Sequence, residues 1–158
     1  MKIFPVKELR FKLIDDQNKS LDRLNSRTEK SERLTPRITD KTFLGLIKGN
    51  EFKLITSSVG RGAFCVMTGI VEPENGKVRV EIHKVFQVLL SFILCLPILG
   101  MLVLIVTRVI AFSPILILVV IGQILMIRYL FIGLAFSYLS KESLSRLRDV
   151  IDFEWLKA

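Results

Sequence analysis

Residues 85–106 read VFQVLLSFILCLPILGMLVLIV and residues 109–127 read VIAFSPILILVVIGQILMI, with Arg108 between them. The first run holds 22 residues without a charge and the second 19. At about 1.5 Å per helical residue, the first spans about 33 Å, enough to cross a hydrocarbon core of about 30 Å. Backbone in a bilayer must satisfy its own hydrogen bonds, so the pair reads as two helices joined by a tight turn. The competing account is a pair of helices buried in a soluble protein. A 158-residue chain has too little other material to enclose two such helices on all sides.

The expected fold class is therefore an α+β membrane protein. It has a small, mostly antiparallel sheet with one or two amphipathic helices, plus a two-helix transmembrane hairpin. Residues 1–84 are expected to form a cytoplasmic α+β domain and residues 85–127 the hairpin. Residues 128–158 supply a returning strand and a C-terminal amphipathic helix that complete the domain.

The net charge is +8, of which +6 falls in residues 1–84 and +2 in residues 85–158. This excess is spread rather than blocked. It reads as topological, with positive residues held on the cytoplasmic side beside anionic lipid heads. No run of basic and aromatic residues supports nucleic acid as a partner. The start, Met1-Lys2-Ile3-Phe4-Pro5, lacks the apolar core of a secretory signal. His83 and Lys84 precede the first helix, Arg108 sits in the hairpin turn, and Arg128 follows the second helix. The positive-inside rule then places both termini in the cytoplasm, with His83, Lys84 and Arg128 at the membrane interface. Gln123 is the candidate interhelical contact, to the facing helix or to another protomer; plain packing of the hairpin is the simpler account. Cys65 and Cys95 are not expected to pair, one lying in a cytoplasmic strand and the other mid-helix.

Along the rest of the chain, residues 7–14 (KELRFKLI) alternate, with Leu9, Phe11 and Leu13 on one face and Glu8, Arg10 and Lys12 on the other. That is a half-buried strand. A short helix fits 19–28, and 29–41, with Pro36, reads as a loop. Four strands follow at 42–47, 51–57, 63–71 and 77–83, with Gly49-Asn50 as a hairpin signal and 63–71 as the central strand. Phe64 and Val66 are expected on its buried face. The charged face of Lys77, Arg79, Glu81 and His83 reads as solvated. Residues 129–139 (YLFIGLAFSYL) place bulky side chains at alternate positions. They are read as a strand pairing with 77–83, the alternative being an extension of the second membrane helix. Ser140 then caps a helix over 141–152 with Leu144, Leu147 and Ile151 on one face.

The succession KELRFKLI, SLDRL, FLGLIKGNEFKLI, RGAFCVMTGIV, GKVRVEI, apolar hairpin and FSYLSKESLSRL resembles a group of small, uncharacterised bacterial membrane proteins. In these a β-rich cytoplasmic domain is interrupted by a two-helix transmembrane hairpin. Arg61-Gly62-Ala63-Phe64 departs from the Arg-Asn that usually stands before the Phe. The resemblance implies architecture and a bacterial inner membrane, and no activity.

The residue census offers no catalytic constellation. His83 is the sole histidine and has no Cys or carboxylate at metal-ligand spacing. The glycines match no phosphate-cradling pattern, and no Ser lies on a nucleophile elbow. Asp15-Asp16 reads as a strand end and helix cap. No cofactor or metal is expected, and no enzyme. The expected function is a non-enzymatic, membrane-anchored interaction or scaffold module at the cytoplasmic face, binding the bilayer and a protein partner or a second copy of itself. The alternative is a membrane-perturbing or pore-forming effector that oligomerises through its hairpin. The absence of charge within 85–106 and 109–127 speaks against an aqueous pore.

Overall fold

The computed structural model describes residues 4–31, 34, 39–57, 64–107 and 113–156. The chain forms two compact units, one of residues 1–83 with 138–158 and one of residues 84–137.

The first unit is built on a seven-stranded mixed sheet. Its strands are β1 (Val6–Leu13), β2 (Thr28–Lys30), β3 (Phe43–Lys48), β4 (Glu51–Thr56), β5 (Cys65–Val71), β6 (Asn75–Ile82) and β7 (Phe153–Trp155), in the order β2-β3-β4-β5-β6-β1-β7. Only β2 and β3 run parallel; every other pair is antiparallel. The most apolar strand, β5, is the middle one. Gly49 takes φ 57° as the first central residue of the β3–β4 turn, the position where a type II′ hairpin demands glycine.

Cross-strand pairing sorts the side chains into two faces, since residues directly opposite one another point the same way. Phe11, Phe52, Leu54, Cys65, Met67, Val71, Val78, Val80 and Ile82 share one face and are all buried. Helix α1 (Gln17–Arg27) and the C-terminal part of α4 (Gly133–Ile151) contribute Leu24, Leu144, Leu147 and Ile151 to the same core. Each such side chain taken out of water contributes about 1.5–3 kcal/mol. Hydrogen bonds fix the helices in place. Gln17 Nε2 donates to the Val71 carbonyl at 2.6 Å, Ser20 Oγ to the Ile151 carbonyl at 3.3 Å, and Thr56 Oγ1 to Ser143 Oγ at 3.3 Å. Asp152 ends α4 in the left-handed conformation, φ 55°, and its carboxylate meets Arg23 at 2.5 Å. Arg23 also meets Asp15 at 2.7 Å, so one guanidinium ties the entry of α1 to the exit of α4.

Five expectations need correction. Residues 129–139 are helical, not a returning strand: a π-helical stretch, Met126–Ile132, runs directly into α4. In a run that is apolar at nearly every position, alternation in bulk does not select a strand. The burial that does occur, at Ile132, Phe136, Ser140, Ser143, Leu144, Leu147 and Ile151, keeps the three-and-four spacing of a helix. Ser140 is accordingly an interior residue of α4 and not its cap. The outer edge of β6 is covered by β1 rather than by 129–139. On β5 Val66 is buried as expected, but Phe64 stands just before the strand and is half-buried, and the helix-covered face carries Cys65 and Met67 instead. The three-residue strand β2 takes the end of the helix expected over 19–28 and the start of the loop expected over 29–41, and β7 follows directly on the helix expected over 141–152.

In the second unit, α2 (Lys84–Val106) and α3 (Pro114–Leu125) pack together. Ser113 caps α3 by accepting from the Ile115 N–H, and Pro114 occupies its first turn. Neither helix has a single buried side chain. Lys84–Val106 and Pro114–Ile151 are long and apolar enough to cross a membrane by length and composition.

Candidate functional site

The sheet face away from α1 and α4 starts as core and ends as a charged hollow. At one end Leu44, Ile55 and Val66 form a buried row across β3, β4 and β5. The next rows on this face are polar. Leu46, Lys53, Thr68, Arg79 and Glu8 stand side by side across β3-β4-β5-β6-β1, and Lys48, Glu51, Ile70, Lys77 and Arg10 form the parallel row. All ten line one cavity of about 770 Å³. At about 4.8 Å per strand interval, the rows extend roughly 19 Å.

The charges in the cavity are unequal: five cations stand with two carboxylates. Arg79 is held loosely by Glu8 at 3.6 Å and Glu81 at 3.4 Å, and its Nε is buried without a hydrogen-bond partner. Lys48 faces Glu51 across the strand pair. Lys53 has Leu46 and Thr68 beside it, and Lys77 has Ile70 and Arg10. Arg10, Lys53 and Lys77 thus have no carboxylate opposite them, and among the described residues none of the three enters an ion pair. The field of Lys53 reaches His83, whose imidazole is held below its ordinary value of 6.5 by burial first and by this charge second. Ile70 offers apolar surface amid the cations, 40% exposed.

The residues singled out in the sequence lie elsewhere. His83 is half-buried after β6, and Lys84 is the exposed first residue of α2. Arg128 lies in the π-helical stretch with its guanidinium 5.6 Å from the Tyr129 ring centre. Gln123 is exposed on α3. Arg108 lies outside the described residues. Among the described residues no three His, Cys, Asp or Glu side chains gather as metal ligands. The Cys65 thiol, buried in the core, is pushed up to about 12 by desolvation and is no nucleophile.

By sequence alternation Lys77 and Arg79 share one polar face and Glu8 and Arg10 another, and nothing in the sequence joins the two. The register of β1 on β6 and of β4 on β5 turns them into the walls of one cavity. The sequence signal is partial: β1 and β6 each carry cations at alternate positions, Arg10 and Lys12 on one and Lys77 and Arg79 on the other, but nothing in either strand shows that they pair. Comparison with protein-family models, with curated proteins and with solved structures finds no match to this chain.

Proposed function

We propose that residues 84–137 anchor the chain in a membrane as a two-helix hairpin, and that the α+β unit is a non-enzymatic interaction module held at the cytoplasmic face. The carrying observation is that α2 and α3 are apolar at nearly every position while none of their side chains is buried. Soluble proteins rarely expose apolar patches beyond a few hundred Å². In a bilayer the same surface faces lipid. Lys84–Val106 measures about 35 Å and 114–132 about 28 Å at 1.5 Å per residue, both matched to a hydrocarbon core of about 30 Å. Arg128 snorkels and Tyr129 sits beside it, as interfacial residues do. Lys84 on one side and Arg128, Lys141, Arg146 and Arg148 on the other favour cytoplasmic flanks, with residues 107–113 across the membrane. By the resemblance described above, that membrane is the bacterial inner membrane. The uniformly apolar helices offer no lining for an aqueous pore, which favours the interaction module over the effector.

Membrane pellets washed in alkaline carbonate should retain the protein. A compartment reporter fused after Ala158 should be active in the cytoplasm, and one inserted at Arg108 on the far side. Release by carbonate would overturn the anchor; the same side for both reporters would overturn the hairpin.

A further inference from the structure

We infer that the cavity on the open sheet face binds an acidic peptide segment of a partner protein, one carrying apolar side chains among its carboxylates. The inference rests on the reading of the chain as an interaction module and names the chemistry of its partner. Charge complementarity is the first argument. Arg10, Lys53 and Lys77 line the cavity with no opposing carboxylate, and Arg79 keeps a buried donor unused. An anion gains most where cations are already gathered and partly desolvated.

Extent is the second argument. The cations are distributed over β3, β4, β6 and β1, roughly 19 Å, which a lone phosphate cannot span and an extended segment of about six residues can. The third is the mixed lining. Leu46 and Ile70 lie between the cations, so the best occupant alternates charge with apolar bulk. A flat bilayer surface cannot enter a hollow in the sheet. A nucleic acid would want an aromatic platform, whereas Phe52, the aromatic residue of the lining, is 1% exposed.

The test uses the full chain in neutral detergent micelles and a fluorescein-labelled peptide alternating Glu and Leu, followed by fluorescence anisotropy. Its Gln-for-Glu counterpart is the control. Saturable binding of the acidic peptide is expected, weakening as salt rises. The double variant Lys53→Gln, Lys77→Gln should weaken it about tenfold or more. Lys77→Arg should keep it, and the melting temperature should not fall in either variant. Equal binding of the Gln peptide, or parent-like binding by the double variant, would overturn the proposal. So would displacement by soluble glycerophosphoserine or tripolyphosphate at lower concentration than by unlabelled peptide, which would make a lipid head group or a phosphate the occupant. Carbonate extraction of the parent chain is read in parallel: a chain that stays in the pellet but fails to bind the acidic peptide overturns the groove alone, and release from the pellet overturns the anchor.

Discussion

The ring of Phe11 fills the space that a side chain at residue 76 would take. Phe11 and Gly76 are direct partners between β1 and β6, and a Cβ on Gly76 would lie 2.2 Å from the ring. Phe11 cannot retreat easily, because it is fully buried and lies 4.3 Å from the ring of Phe153 on β7. Phe153 in turn meets Trp155 edge-on at 4.6 Å. The glycine therefore lets one aromatic column join β6, β1 and the C-terminal strand. Gly76→Ala should destabilise the unit by about 1–3 kcal/mol through overpacking. Adding Phe11→Leu to it should recover part of the loss in denaturant midpoint. A Gly76→Ala variant as stable as the parent would mean the column does not hold β7.

On the open face, Arg10 stands directly across from Lys77, like charge against like. Such pairs are destabilising by up to about 1 kcal/mol, less where solvent screens them, as it does here. Lys77→Ala should leave thermal stability unchanged or slightly raised while weakening the acidic probe. A marked fall in melting temperature would mean that Lys77 serves the fold rather than the cavity.

The parity of β5 separates two readings of its core. Met67 is fully buried on the helix-covered face, whereas Phe64 is half-buried before the strand begins. Met67→Ala should cost about 2–5 kcal/mol and Phe64→Ala distinctly less. Equal losses in urea midpoint would restore Phe64 to the core.

This strand also marks where the sequence stops being readable. AFCVMTGIV is apolar on both faces, because Val66 packs with Leu44 and Ile55 under the open side while Cys65 and Met67 meet the helices. Period-two reasoning needs a polar face to fix parity, and β5 lacks one over its first residues. On β1 and β6 the polar face exists, and Phe11, Leu13, Val78, Val80 and Ile82 were legible as core. The Leu144, Leu147 and Ile151 stripe was legible for the same reason at helical period. Residues 129–139 were not, since nearly uniform apolarity hides which period governs. The cavity was invisible because it is a property of register between strands, and no single strand contains it.

His83, just after β6, gives the fold a pH dependence. Burial, and after it the charge of Lys53, lowers the His83 imidazole below 6.5 in the folded state. The unfolded chain, with an ordinary imidazole, takes up the proton first as pH falls. Stability is therefore full above the ordinary value and declines as pH passes down through about 6.5 toward the folded value, levelling below it. Carboxylates begin to titrate below about pH 5, so the window to read lies between about pH 7.5 and 5.5. Urea midpoints should fall across that window in the parent chain. His83→Asn, neutral throughout, should flatten the profile. Lys53→Gln should flatten it only in part, because burial is the larger cause. Stability that rises on acidification, or a profile indifferent to His83→Asn, would show that His83 is not held as described. A profile flattened by His83→Asn but untouched by Lys53→Gln would place the Lys53 charge away from His83, and with it the cation that the cavity contributes at β4.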